Sequence, residues 1–165
     1  MTNDHAELRI ERATESDVAD LLMLIKALAD YEHLAVAADE ARVRDSLFGP
    51  RPAAGALMAR LGGGAVGFAV WFHNFSTFLG RRGLYLEDVF VRPEWRGRGV
   101  GRALLSRLAA MAIERDCGRM EWTVLDWNAN AIAFYKRLGA EVLDDWRVCR
   151  LSGDALRKLA SGSGL

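Results

Sequence analysis

The residues best suited to chemistry lie in two places. Glu87 and Asp88 stand side by side within Leu84-Tyr-Leu-Glu-Asp-Val-Phe-Val91, an aliphatic, aromatic and β-branched run that predicts a strand. Two carboxylates at the centre of a strand need a reason, and such a pair can attract a cation or take a proton. Strand side chains alternate, so the pattern groups Glu87 with Tyr85, Val89 and Val91, and Asp88 with Leu84, Leu86 and Phe90. The second place is Tyr135, beside Phe134 in the helical pattern Ala131 to Leu138. A phenol there can hand a proton to a departing anion, and it can equally be a helix aromatic filling the core.

Directly after the strand, Pro93 holds Arg92 extended, and Arg96-Gly-Arg-Gly-Val-Gly101 turns the chain into the helical pattern Ala103, Leu104, Leu105, Leu108, Met111 and Ala112. Alternate glycines let the backbone approach a ligand closely. The first amides of a helix carry partial positive charge, so the turn suits a pyrophosphate, with Arg96, Arg98 and Arg102 adding full charges. A dinucleotide fingerprint needs glycine where Arg102 stands, and a phosphate-cradling loop needs Lys-Ser/Thr after a longer spacer, so both nucleotide motifs fail. A tight turn with no ligand is the plain alternative for the glycines alone. The spacing that is met is Arg/Gln-x-x-Gly-x-Gly/Ala, on Arg96, Gly99 and Gly101.

Together these motifs resemble the GNAT superfamily of acyl-CoA-dependent N-acyltransferases, and the central strand and turn resemble its diamine (spermidine/spermine) N-acetyltransferase branch. The resemblance runs from Leu8 to Leu151. It implies acetyl-CoA as cosubstrate, with the pantetheine arm on the backbone of Phe90, Val91 and Arg92 and the pyrophosphate on Arg96, Gly97, Arg98, Gly99, Val100 and Gly101. It also places Asn128 and Ala131 near the coenzyme, although an Asn before a helix is commonly a cap. Tyr135 inherits the role of general acid toward the departing thiolate, and Glu87, through a water, that of base. Tyr31-Glu32, at the exit of a helix, resembles the branch's amine site. Tyr31, Glu32, Glu87, Asp88, Trp122 and Asp145 are therefore the implied substrate contacts. A two-fold homodimer is implied as well.

The chain departs from the branch in its acids. Leu34-Ala-Val-Ala-Ala-Asp-Glu40 and Ser76 to Gly83 are acid-poor, and Arg81 and Arg82 would repel a polyamine, which leaves Asp144 and Asp145. The expected reaction is acetyl transfer to a primary amine of a small molecule, polyamine-like or a lysine analogue. The competing readings are a catalytically silent acyl-CoA sensor and a modifier of protein amino groups.

The elements expected to position these residues follow from periodicity. Leu8 to Arg12 predicts a strand, and Thr14 to Asp17 a capping box opening a helix that runs to about Tyr31. A second helix is expected over Asp39 to Phe48, stopped at Gly49-Pro50, and then a hairpin of Gly55 to Leu61 and Ala65 to Phe72 about Gly62-Gly-Gly64. His73 to Gly83 reads as a loop, Met120 to Leu125 and Trp146 to Leu151 as strands, and residues 161–165 as a flexible tail to a single domain over 1–160. The fold class is α+β, a mixed, mainly antiparallel sheet with helices on both faces.

At 165 residues and 51% hydrophobic the chain can build one full core. Its 22 basic residues balance 22 acidic ones, which excludes the electrostatic footprint of a nucleic-acid or anionic-membrane binder. Cys117 and Cys149 lack CxxC spacing, and His5, His33 and His73 are scattered, so no metal is expected. With no leader pattern at Met1 and no membrane-length apolar run, a cytoplasmic protein is expected.

Overall fold

A computed structural model describes residues 7–162, which fall into two compact units, one up to residue 123 and one from residue 124 on. In the first, Thr14 opens the capping box, its N–H donating to Asp17 Oδ2 at 2.7 Å, and a 3-10 turn over Glu15–Asp17 leads into α1, Val18–Glu32. Val18, Leu21, Leu22, Leu24 and Leu28 recur at helical spacing and are its buried stripe. His33 closes α1 in the left-handed region, at φ 59°. Asp39 caps α2, Glu40–Phe48, by accepting from Arg42 N at 2.8 Å, and Gly49-Pro50 ends it.

The sheet has five strands in chain order: β1, Arg9–Arg12; β2, Gly55–Leu61; β3, Gly64–Ser76; β4, Arg81–Val91; and β5, Met120–Glu121. Neighbours are antiparallel except β4 and β5, which are parallel and joined through α3, Val100–Glu114. The hairpin between β2 and β3 turns on Gly62 and Gly63 at φ 60° and 82°, values that L side chains resist. Ala56, Met58, Phe68 and Phe90 point to the face covered by α1 and α2. By alternation Leu57, Ala59 and Ala69 face the other way, where α3 packs across β1 to β4 with Leu104, Leu108 and Met111 buried.

The segment expected as a loop from His73 to Gly83 is strand for most of its length. His73, Asn74, Phe75 and Ser76 pair with Leu84, Gly83, Arg82 and Arg81, so only residues 77–80 turn. Polar residues hide the alternation, but the hydrogen-bond ladder does not need apolar side chains. The register also slips within this pair, from Val70 opposite Asp88 to Trp71 opposite Leu86, leaving Glu87 with no cross-strand partner. Glu87 is a β-bulge. It corrects the expected grouping of side chains: Asp88 and Phe90 share the α1 face with Val70 and Phe68, while Leu84 and Leu86 turn with Trp71 and His73 to the α3 face.

In the second unit α4 spans Ala129–Arg137 and α5 Gly153–Ala160. The strand expected over Met120 to Leu125 stops at Glu121, and the one expected over Trp146 to Leu151 does not form. Alternation describes a pleated, half-buried surface and needs a neighbouring ladder to become a strand. The unforeseen α5 starts after Ser152 and carries the pair Arg157–Asp154. Ser161 and Gly162, expected as tail, close it with a turn, Ser161 N donating to Arg157 O at 3.0 Å. Residues 163–165 lie outside the described residues.

A Cβ on Gly67 would stand 2.6 Å from Phe90 O, which only a parting of β3 from β4 relieves. Gly67→Ala is expected to cost about 1–3 kcal/mol, read as a lowered urea midpoint. An unchanged midpoint would show that the strands separate there freely.

Candidate active site

The open edge of β4 comes first. Arg92 N donates to Val66 O at 2.9 Å, and bonded pairs alternate along an antiparallel ladder, so the amides of Phe90 and Arg92 face β3 while those of Val89 and Val91 face away. On that far edge β5 reaches only Leu84 and Tyr85. Of the three amides expected to hold the pantetheine arm, that of Val91 is the one presented, because the ladder engages the other two. The Arg92 side chain turns aside, donating to Met23 Sδ at 3.3 Å and lying 3.8 Å from Glu94.

The turn that follows has the form an anion needs. A 3-10 turn over Pro93–Trp95 leads to Gly97 at φ 74° and to Gly99, which caps α3 at φ 82°. No side chain satisfies that cap and no acid stands in the first turn of α3. The amides of Val100, Gly101 and Arg102 therefore open the helix with no intrahelical acceptor, a cradle fitted to a pyrophosphate. Gly101 itself is helical. Arg98 stacks over Trp95 at 4.8 Å and with Arg92 lines a cavity of about 710 Å³ beside Asp20 and Met23. Arg96 instead donates Nε–H to Val91 O at 2.9 Å, and its guanidinium lies 4.7 Å over the Tyr31 ring and 5.6 Å from that of Phe90. One arginine joins the glycine turn, the β4 edge and the end of α1.

The carboxylates gather at the same place. Asp88 is half-buried, and burial first, then the charges of Glu87 and Glu32, push its carboxyl up to about 6. Glu32 is also raised, by burial. Glu87, in the bulge, is exposed. Tyr31, Glu32, Glu87 and Asp88, expected as substrate contacts, thus converge from α1 and β4. The bulge and the stacking of Arg96 on Tyr31 leave no local signal in the sequence, since each depends on segments remote along the chain. Trp122 is half-buried just beyond β5. Arg81 and Arg82 open β4 rather than a loop. Arg81 pairs with Asp116 at 3.3 Å, and seven residue steps of strand put it about 23 Å from Asp88, beyond a Debye length of about 8 Å. Their repulsion of a cation bound at Asp88 is therefore screened.

The second unit holds the other candidates. Asn128 Oδ1 accepts from Ala131 N at 3.2 Å, so Asn128 is the cap of α4. Tyr135 is half-buried in α4, its ring 5.5 Å from that of Phe134. Asp145 is exposed in a stretch without regular structure.

A mixed five-stranded sheet with an open strand edge leading into an anion cradle suits a ligand with an extended polar arm and a phosphate. The chain belongs to the acetyltransferase (GNAT) family, whose model matches residues 21–140, and is an acetyl-CoA-dependent N-acetyltransferase. It is 36% identical over 168 residues to the thialysine N-epsilon-acetyltransferase of Bos taurus, covering 94% of this chain and 98% of that one. It is 47% identical over 93 residues to an L-ornithine N5-acetyltransferase of Arabidopsis thaliana, which covers 56% of this chain and 41% of the relative. Among solved structures, an integron cassette protein from the mobile metagenome of V. cholerae superposes with a TM-score of 0.80 at 29% identity, over 93% of this chain and 97% of that one. An aminoglycoside N-acetyltransferase in complex with CoA shares the fold at a TM-score of 0.74 and 18% identity, over 93% and 99%.

Because the folded state holds the Asp88 proton up to about 6 while the unfolded chain releases it near 3.8, stability falls as pH rises through that window and stays lowered above it. Asp88→Asn is expected to raise the melting temperature by roughly 2–6 °C at pH 7.5, a gain that vanishes by about pH 4. An equal gain at both pH values would show that Asp88 does not hold its proton.

Proposed function

We propose that this acetyltransferase moves the acetyl group of acetyl-CoA to the terminal primary amine of a small amino-acid-type substrate, a lysine or ornithine analogue, by direct attack of the amine. The observation that carries this is the convergence of Glu32, Glu87 and Asp88 beside Tyr31. Full-length likeness to thialysine acetyltransferases supports the substrate class. A polyamine is the second reading. It is favoured by the same acids and by 32% identity to a spermidine/spermine N(1)-acetyltransferase-like protein of Homo sapiens, of which this chain covers 24%.

Acetyl-CoA supplies the activated acetyl thioester. The backbone of Val91 and the Gly97 to Gly101 turn hold its arm and pyrophosphate, with Arg96 adding charge, and Asn128 and Ala131 stand at the coenzyme. Glu32 and Glu87 draw in the ammonium form of the substrate against Tyr31, with Trp122 and Asp145 as further contacts. Asp88 then takes the proton. A carboxyl at about 6 makes that transfer, from an ammonium near 10.4, roughly 100-fold less uphill than one in the ordinary carboxylate range. This moves the base from Glu87, expected from the sequence, to its neighbour. Tyr135 protonates the departing sulfur. We further propose that residues 1–160 work as one GNAT domain, in a cytoplasmic homodimer. The family match running across both units supports the domain, and the branch resemblance supports the dimer.

The test is acetyl-CoA-dependent thiol release across thialysine, ornithine, lysine, putrescine and spermidine. We predict that the amino acids give the highest kcat/KM. Tyr135→Phe should lower kcat by about 10²–10³ while leaving the KM for acetyl-CoA within about two-fold. Silence across the panel with CoA still bound would favour the sensor reading, and spermidine ranked first the polyamine one. Glu32→Gln is expected to raise the KM for the amine by about five- to ten-fold with little change in kcat, as loss of a recruiting charge requires. A kcat loss with KM intact would place Glu32 in the chemistry instead.

A further inference from the structure

Among the described residues, the buried side-chain nitrogens without hydrogen-bond partners are Arg92 Nε and Trp71 Nε1, and each belongs to a residue lining a cavity. Arg92 lines the cavity beside the coenzyme turn. Trp71 lines a different one, of about 540 Å³, where the end of β1, the end of α2 and the end of α3 meet β3. Its volume falls in the range of small-ligand sites.

Every charge on its wall is a cation, Arg12 and Arg115. Arg115 is held there by neutral groups. Its guanidinium lies 4.5 Å over the Trp71 ring, and its Nη1 donates to His73 Nε2 at 3.0 Å. His73 accepts at Nε2 because its Nδ1, 2.9 Å from Gly83 O, carries the proton, so the imidazole is neutral and brings no countercharge. No carboxylate pairs with Arg115 or Arg12 among the described residues, whereas Arg9, Arg42, Arg44, Arg60, Arg81, Arg92, Arg107 and Arg119 of the first unit are each paired. A cation fixed in place without a counter-ion, beside a buried N–H donor lacking an acceptor, is a site short of one anion. The remaining walls are apolar, Leu47, Phe48 and Pro52, which favours an organic anion over an inorganic one.

We propose that this cavity binds a small organic carboxylate, its head taken by Arg12, Arg115 and Trp71 Nε1–H and its body by the apolar walls. The site is separate from the β4 edge and the glycine turn, and occupation requires no acetyl transfer.

The test follows the Trp71 indole N–H resonance of the ¹⁵N-labelled full chain, assigned by triple-resonance spectra, during titration with sodium benzoate at constant ionic strength and saturating CoA. Benzamide and sodium chloride serve as controls. The resonance is expected to move saturably with benzoate alone, and Arg12→Gln and Arg115→Gln each to weaken benzoate about ten-fold. If Arg115→Gln does not fold, Arg115→Lys, which keeps the charge but loses the planar fork, is expected to weaken it by a smaller factor. A stationary resonance, equal movement with benzamide or chloride, or undiminished binding in the variants would overturn the proposal and leave the cavity to water.

Discussion

One unpaired residue governs this site. Glu87 interrupts the ladder between β3 and β4, and because strand side chains alternate, that single insertion reverses every side chain on one side of it relative to the other. Leu84 and Leu86 can then be buried against α3 while Asp88 and Tyr85 share the α1 face, where the acids at the end of α1 arrive. A regular strand would have placed Asp88 in one row with Leu84 and Leu86. The bulge also follows the point where β5 stops pairing, so the edge of β4 near Val91 stays free for a ligand's backbone-like arm.

Electrostatics follow from that placement. Burial disfavours the Asp88 charge, and two further carboxylates raise its proton affinity again. Holding three acids together costs stability, a cost that a bound cation would offset by neutralising them. The positive end of the site is built from backbone, the uncapped start of α3, with Arg96 as the side chain that touches both halves. Its contact with Tyr31 places the glycine turn and the end of α1 within reach of one guanidinium.

Much of this is legible in the amino-acid sequence. The capping box at Thr14, the buried stripe of α1, the hairpin at Gly62-Gly63 and the strand, glycine turn and helix around Arg96 are local patterns, and local patterns survive folding. What stays hidden is of one kind. The bulge is decided by which residue of β3 opposes which residue of β4, and neither strand's own sequence records it. The extension of β3 through Asn74 and Ser76 is masked because its side chains are polar while its ladder is backbone. Trp146 to Leu151 alternates as a strand does but finds no ladder, and α5 is obscured by its shortness and its flanking glycines and serines, although Ser152 at its start and the apolar spacing of Ala155, Leu156, Leu159 and Ala160 do signal a helix. Among the site residues, the pair of acids is visible in the sequence, but the choice between them is not. It rests on burial and on Glu32, more than fifty positions earlier in the chain.

The central claim is that the bulge groups three carboxylates and lifts one of them. Carboxyl ¹³C titration of Asp88 by NMR tests it directly. A midpoint near 6 that falls toward the ordinary carboxylate range in Glu87→Gln, and further when Glu32→Gln is added, is the result the account predicts. A midpoint already in the ordinary range, or one indifferent to both substitutions, would contradict it.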